Sequence, residues 1–483
     1  MKSKLHKGIS KLTCLLVLLV VFSTAQAQKV DLVYSTASAR WIKGKKAVSI
    51  NKDQSVKADI TVFADSELQL IDGIGGAFNE LGWTAVNVLP QKAANEVFDA
   101  LFGEDGCNFS MGRVPIGASD YALSYYSMDD VPEDFEMRDF NIDRDRFIMI
   151  PYLKEAFKRR PDFKLWGSPW TPPAWMKVNE HYSLRAGEME EGRTGGNKMA
   201  PGKEIRTSST AFKMQRRYLE AYALYFSKFV TAYKEAGTPV FMIQPQNEIL
   251  YAPNWPACTW LTEDMSYFIG DFLGPKFEAD SLDTEIWLGT INSPDTRYVK
   301  YALDHKNAKK YIKGVGFQWN GERSIPTIAK EYPNIKLMQT ENKCGEQEND
   351  WSSLERSWKS MVHYFNNGAG SYLYWNMILD ETGKSAWGWP QNSMIVIDSE
   401  SKEVKYNDEF YLFKHLSHFV QPGDHYLKSS EGDNHLAFKL KDGRTMLMVY
   451  NPEEKAKTIN ITVGETTITA DLEAVSINTI LLN

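Results

Sequence analysis

The sequence predicts an α/β protein: a (β/α)8 barrel with a side β-sandwich built from both ends of the chain. Three observations carry this. Short apolar runs alternate with amphipathic stretches from Leu70 to Trp375, the rhythm of parallel strands joined by crossover helices. From His435 onward the pattern changes to short β-like runs parted by turn residues. Two further β-like pieces, Val30–Tyr34 and Ile60–Phe63, are too few to form a sheet alone and need the C-terminal strands as partners.

The chain divides into 1–27, a leader; 28–66, N-terminal strands of the sandwich; 67–420, the barrel; and 421–483, the rest of the sandwich. In the leader, Lys2, Lys4, Lys7 and Lys11 precede the apolar stretch Leu15–Phe22, and Ala25-Gln26-Ala27 has the small-x-small form of a cleavage site. This is the pattern of a secretory signal peptide, too short to span a membrane, so a secreted, periplasmic or cell-surface protein is expected. Cleavage after Ala27 removes four lysines and no acids, taking the net charge from −7 to −11. Such an acidic chain is a poor ligand for nucleic acid or an anionic membrane, and neither membrane insertion nor a nucleic-acid partner is expected.

Barrel strands are predicted at Leu70–Ile74, Phe109–Val114, Lys164–Gly167, Val240–Ile243, Ile286–Thr290, Gly314–Phe317, Lys336–Gln339 and Ser371–Trp375. Helices are predicted at Gln91–Phe102, Arg144–Arg159, Ser209–Ala236, Glu263–Phe277, Asp295–His305, Ser324–Tyr332 and Ser352–Asn366. An open doubly wound sheet is the alternative. It usually carries a Gly-rich phosphate loop, and Gly73-Ile74-Gly75-Gly76 lacks that spacing and reads as a tight turn. The polar, Gly-rich segment Lys177–Ser208 follows the third strand and is expected to overhang the mouth of the barrel. After the helix-like stretch Phe410–Phe419, strands are predicted at His435–Leu440, Thr445–Tyr450, Thr458–Val463, Thr466–Ala470 and Ala474–Leu481, with turns at Lys441-Asp442-Gly443 and Asn451-Pro452-Glu453.

Two glutamates close apolar strands in the same way. Glu248 follows Phe241-Met242-Ile243 and the polar Gln244-Pro245-Gln246-Asn247; Glu341 ends Lys336-Leu337-Met338-Gln339-Thr340. Barrels place their chemistry at this face. On the fourth and seventh strands the two acids face each other across the mouth. That is the requirement for cutting a glycosidic bond: one carboxyl protonates the leaving oxygen and the other, ionised, attacks or stabilises the sugar cation. Asn247 is placed to donate to a sugar hydroxyl. Other strand ends carry Arg113, Asp120, Trp170, Trp319 and Trp375, and the last is followed by Trp387 and Trp389. Acids and amides bind hydroxyls, and indole faces pack on the C–H faces of sugar rings. No HExxH, CxxC or EF-hand pattern occurs, so no metal and no cofactor are expected. Cys107, Cys258 and Cys344 are too widely spaced for a disulfide framework.

The run Asp72-Gly73-Ile74-Gly75-Gly76-Ala77-Phe78, Arg113-Val114-Pro115 with Asp120, Ser168-Pro169-Trp170-Thr171-Pro172-Pro173-Ala174-Trp175-Met176-Lys177, Asn247-Glu248 and Glu341 resembles, in order, glycoside hydrolase family 30, which includes glucosylceramidases and β-1,6-glucanases. The resemblance implies a retaining mechanism with Glu248 as acid/base and Glu341 as nucleophile. It also implies that Asp120, Trp170, Asn247 and Trp375 bind the sugar before the cut, with Arg113 supporting the pocket floor near Glu341. There are two departures. Where the animal-type glucosylceramidases carry His-Trp-Tyr, this chain has Gln318-Trp319-Asn320, without the aromatic hydroxyl that would orient the nucleophile. Their Gly-Gly-Pro-Asn-Trp run is replaced by Ala386-Trp387-Gly388-Trp389-Pro390, which does not support ceramide recognition. Trp387 and Trp389 suit a platform for a glucan chain, closer to the β-1,6-glucanase branch.

The expectation is therefore a secreted, monomeric, retaining endo-β-1,6-glucanase acting on β-glucan oligo- or polysaccharide. An exo-acting β-glucosidase or glucosylceramidase-like enzyme, a xylan-directed hydrolase, and a non-catalytic glycan-binding protein are the rivals.

Overall fold

The computed structural model describes residues 30–44, 48–51, 56–187 and 197–483. The expected leader lies outside the described residues, as does 188–196 in the segment after the third strand.

Eight parallel strands close into a barrel: β1 (Gly73–Ala77), β2 (Met111–Pro115), β3 (Lys164–Ser168), β4 (Val240–Ile243), β5 (Glu285–Ile291), β6 (Ile312–Gln318), β7 (Lys336–Glu341) and β8 (Ala369–Asn376). Each pairs with its chain neighbours, and β8 closes on β1 through Ser371 opposite Gly73. The lower interior is an apolar plug of Met111, Trp166, Met242, Trp287, Met338 and Leu373. Side chains along a strand alternate in direction, so two residues beyond Met111 and Trp166 the same inner face presents Arg113 and Ser168. The interior thus turns from apolar to polar toward the C-terminal mouth.

The glycines after Asp72 do not form a turn. Gly73, Gly75 and Gly76 lie inside β1, where a Cβ on Gly75 would stand 1.7 Å from the Met111 carbonyl oxygen and one on Gly76 would stand 2.4 Å from Met377. They let β1 close tightly on its neighbours. Three helices also differ from the periodicity, the first because the 144–159 stretch is parted at Ile148 into Asp143–Phe147 and Met149–Arg159. The long helix begins at Arg216 because Ser209–Gln215 is held as a loop, with Ala211 N–H donating to the Thr259 carbonyl at 2.8 Å. The 263–277 stretch is broken by a π-turn, Ile269–Leu273, just before Gly274-Pro275. Proline has no N–H to donate, and the wider turn absorbs the missing bond.

Among the described residues the two ends of the chain form one ten-stranded sheet. Its order is Ile42–Lys43, Val30–Thr36, Ser476–Leu482, Thr445–Asn451, His435–Lys439, His425–Ser429, Ile60–Leu70, Lys457–Val463, Thr466–Leu472, Val48–Asn51. Val30–Thr36 pairs with Ser476–Leu482 along its whole length, joining the two ends. The sandwich is a single sheet bent over one core: Leu32, Val62, Leu427, Leu447, Ile461 and Ile480 share an apolar cluster, and the strands Val30–Thr36 and Val48–Asn51 touch. The bend falls on Ile60–Leu70, which pairs with Lys457–Val463 at one end and with His425–Ser429 over the rest. Helix Asp408–Ser417 fastens this module to the barrel. The imidazole of its His415 lies 2.9 Å from both Ser35 Oγ and Thr479 Oγ1.

Candidate active site

Glu341 is the last residue of β7. Arg113, from β2, is fully buried and donates from Nη1 to Glu341 Oε2 at 2.7 Å. Its other arm, Nη2, donates to Asn247 Oδ1 at 2.6 Å and to Ser168 Oγ at 2.9 Å. The guanidinium lies 4.4 Å from the Trp170 ring centre and 5.5 Å from that of Trp375. An always-charged planar fork lying against indoles is how a buried cation serves two acceptors at once.

The second oxygen of Glu341 accepts from the Trp319 indole N–H at 3.1 Å. Trp319 has φ +49°, a left-handed backbone that non-glycine residues seldom adopt, and this turn after β6 aims the indole back at β7. The departure at Gln318-Trp319-Asn320 therefore still leaves the glutamate with a side-chain donor.

Glu248 also has a left-handed backbone, φ +45°, and is half-buried. It lines a cavity of about 650 Å³ together with Glu341, Asp120, Trp170, Trp319, Trp389 and Gln391. Two acids from β4 and β7, 93 residues apart in sequence, thus meet at one opening. Their environments differ. Burial lifts the Glu248 carboxyl well above its ordinary range, and the nearby charges of Glu341 and Asp120 push the same way; Arg113 and the Asn292 side chain draw it only part of the way back. Burial also lifts Glu341, but Arg113, the Trp319 N–H and Gln318 all hold it down. Glu248 therefore keeps its proton while Glu341 gives it up first.

Asp120 is a third acid at the opening. Burial, then the charge of Glu341, pushes it up to about 8. Asp120 lines the cavity, and its Oδ1 is buried without a protein hydrogen-bond partner. Asn247 is arranged the other way. Its oxygen accepts from Arg113, from Thr290 Oγ1 at 3.1 Å and from Gln318 Nε2 at 3.3 Å, so its amide nitrogen is the end left for a ligand.

The tryptophans divide into three groups. Trp170, Trp319 and Trp389 line the cavity. Trp375 is 1 % exposed and stacks behind Trp170 at 5.1 Å, so it backs the wall instead of forming it. Trp387 is no platform: it is 4 % exposed, and its N–H donates to Tyr125 O–H at 3.0 Å. The adjacent Gly388, φ +100°, reverses the chain and leaves one indole in and the next out. Trp389 instead meets Trp255 at 4.4 Å, and Trp255 meets Tyr251 at 5.6 Å. Sequence patterns do not single out Leu250, Tyr251, Trp255, Asn292 or Gln391. The one signal for Tyr251 and Trp255 is their closeness to Glu248 in the same loop.

The segment after β3 is fastened at its root. Lys177 Nζ is buried and donates to the carbonyls of Tyr182, Ser183 and Ala257 at 2.8, 3.3 and 2.6 Å. This ties it to the loop that carries Trp255.

Paired carboxyls, one ion-paired and one raised by burial, beneath aromatic walls at the C-terminal mouth of a (β/α)8 barrel define a glycosidase of the barrel class. Residues 71–420 match the glycosyl hydrolase family 30 TIM-barrel domain, and the chain belongs to that family. It is 28% identical over 400 residues to putative glucosylceramidase 3 of Caenorhabditis elegans, covering 78% of this chain and 72% of that protein. It is 26% identical over 378 residues to the endo-1,6-β-D-glucanase neg1 of Aspergillus fumigatus, covering 74% of this chain and 71% of that one. The fold is shared with the solved endo-β1,6-glucanase BT3312, with TM-score 0.78, 24% identity and coverage of 94% of this chain and 98% of the other. SrfJ from Salmonella typhimurium shares it with TM-score 0.83, 24% identity and coverage of 94% and 99%.

Proposed function

We propose that the protein is an exported, retaining β-glycoside hydrolase that cuts within chains of β-1,6-linked glucose. The observation that carries this is the unequal treatment of two facing acids. Glu341 receives a guanidinium and an indole N–H, whereas Glu248 sits in a setting that keeps it protonated.

In the first step Glu341 attacks the anomeric carbon as the glycosidic C–O bond breaks, and the proton of Glu248 goes to the leaving oxygen. The sugar is then held as an ester of Glu341. In the second step Glu248, now ionised, takes a proton from water; the resulting oxygen attacks the same carbon and the ester bond breaks. Glu341 is released as a carboxylate and Glu248 is again protonated. Two inversions at one carbon give net retention.

Asp120, Trp170 and Asn247 serve the sugar before the cut. Glu248 must reach the leaving oxygen, so Tyr251 and Trp255, which follow it on the same loop, stand on the leaving-group side with Trp389. A wall of three rings stacks on a sugar without depending on its hydroxyl pattern, which suits an internal unit of a chain. It suits an apolar alcohol as well, and the similarity to a putative glucosylceramidase makes that the second reading.

Product sizes from pustulan, a linear β-1,6-glucan, decide between them. A ladder of oligomers is the expected result. Glucose alone indicates exo action, and no cleavage removes the substrate. Glu341→Gln is expected to abolish turnover with the fold intact, and near-normal activity in that variant rejects the assignment. Product stereochemistry by NMR tests retention. Export is tested by sequencing the N-terminus of protein recovered outside the cytoplasm, expected to begin at Gln28; light scattering tests the monomer.

A further inference from the structure

Glu248 holds a left-handed backbone, φ +45°, that a glutamate does not adopt unaided. One residue of β5 grips the segment around it. Thr290 N–H donates to the Gln246 carbonyl at 2.6 Å, and the Thr290 carbonyl accepts from Ile249 N–H at 3.5 Å. Between these backbone contacts, the Thr290 hydroxyl accepts from Glu248 N–H at 2.9 Å and donates to Asn247 Oδ1 at 3.1 Å. Four consecutive residues, 246 to 249, are thus held by a single threonine that is itself fully buried.

The hydroxyl does more than satisfy a buried amide. Asn247 Oδ1 is also the acceptor of Arg113, whose other arm carries Glu341. The backbone of Glu248 is therefore joined to the carboxylate of Glu341 by hydrogen bonds running through Thr290, Asn247 and Arg113. Every member of the chain is held at both ends, so the spacing of the two acids follows from fixed contacts and not from loop packing alone.

We infer that Thr290 is a positioning residue: its hydroxyl sets the backbone of Glu248 so that the acid reaches the leaving oxygen, and fixes it relative to Glu341. The inference rests on the role of Glu248 proposed above. Thr290→Val has nearly the same shape and removes only the two hydroxyl contacts, while both backbone contacts remain.

The test uses two substrates that differ in need for the acid. Gentiobiose has a poor leaving group that requires a proton, whereas 2,4-dinitrophenyl β-glucoside departs without one. Thr290→Val is expected to lose about ten- to a hundredfold in kcat/KM on gentiobiose, a part of what general acid catalysis contributes. On the dinitrophenyl glucoside its kcat/KM is expected to stay within about threefold, consistent with an acid that is displaced and not a site that is disordered. Thr290→Ser, which keeps the hydroxyl, is expected to restore gentiobiose cleavage. Equal losses on both substrates, or no loss on either, overturn the inference. Should the valine variant not fold, Thr290→Ala makes the same comparison. Glu248→Gln is run alongside. If that variant does not separate the two substrates, the acid assignment fails on its own account, and this inference with it.

Discussion

Arg113 Nη1 stands 2.7 Å from Glu341 Oε2, in a pair closed to solvent on the cationic side. Burial lowers the guanidinium's own pKa, and Glu341 is the chief group opposing that. Cation and anion therefore hold each other charged in a place where neither is stable alone. Arg113→Met leaves Glu341 buried without its counter-ion. The expected outcome is a loss of about 3–5 kcal/mol in stability, the scale for breaking a buried pair, read by denaturant unfolding. Arg113→Lys keeps the charge but cannot reach Glu341, Ser168 and Asn247 together. It is expected to fold and to lose about 10²–10³-fold in kcat.

Trp319→Phe removes the indole N–H from Glu341 Oε1 and leaves most of the ring in the cavity wall. With one donor fewer, the carboxyl is lifted further. The acidic limb of the pH–rate profile is expected to move upward, and kcat to fall about tenfold, in line with one charge-assisted hydrogen bond. A profile superimposable on the parent's shows that the N–H does not tune Glu341.

The proposed mechanism needs Glu341 ionised and Glu248 protonated. Both carboxyls are raised, Glu248 the more strongly. Activity should rise with pH as Glu341 deprotonates and fall only well above the usual carboxylate range, as Glu248 loses its proton. Glu248→Gln removes the group assigned to the alkaline limb. Its residual turnover of gentiobiose, which needs the proton, measured as kcat/KM against pH, should show no such limb.

Asp120 links pH to stability. Its folded value of about 8 lies above the unfolded value near 3.8. The folded state therefore holds a proton that the unfolded state has released, and stability falls as pH rises from about 4 to about 8. Asp120→Asn removes this dependence. At pH 8 it should be more stable than the parent by on the order of a few kcal/mol, since each tenfold difference in proton affinity is worth about 1.36 kcal/mol. Thermal unfolding across that pH range checks it. The same variant should bind sugar poorly, a site that trades stability for function.

Trp255→Ala and Trp389→Ala open the cavity wall proposed above to take the leaving group. Each is expected to raise KM for β-1,6-gluco-oligosaccharides by up to about tenfold, on the scale of about 0.5–1.5 kcal/mol for a lost aromatic contact. Hydrolysis of β-glucosyl fluoride, whose leaving group fills no such space, should be nearly unchanged. Losses of equal size on both place these rings elsewhere in the reaction.

Local patterns account for most of the barrel. Val240–Ile243 and Gln91–Phe102 stand in the structure with the bounds that periodicity assigns them. Elements escape the pattern where contacts override it. The sheet of Ile378–Asp380, Ile395–Ile397 and Val404–Tyr406 is three residues per strand, too short for alternation to register. His425–Ser429 (HYLKS) has neither an apolar run nor clean alternation, and pairing with Ile60–Leu70 makes it a strand. The glycines of β1 look like a turn in the chain because sequence does not reveal that Met111 presses on them from the next strand.

What the sequence determined by itself was the barrel rhythm and the two acids at strand ends. Both follow from short-range rules: alternation, crossover length, and the place where a strand meets solvent. Only the tertiary structure decided which neighbours those acids have. Trp387 and Trp389 look alike in the chain, yet one is buried against Tyr125 and the other faces the cavity, because Gly388 turns the backbone between them. Thr290 is an ordinary threonine in β5 until the barrel closes and sets its hydroxyl between Asn247 and Glu248. Hydrogen bonds across strands depend on closure and register, and those are properties of the assembled barrel that no single stretch contains.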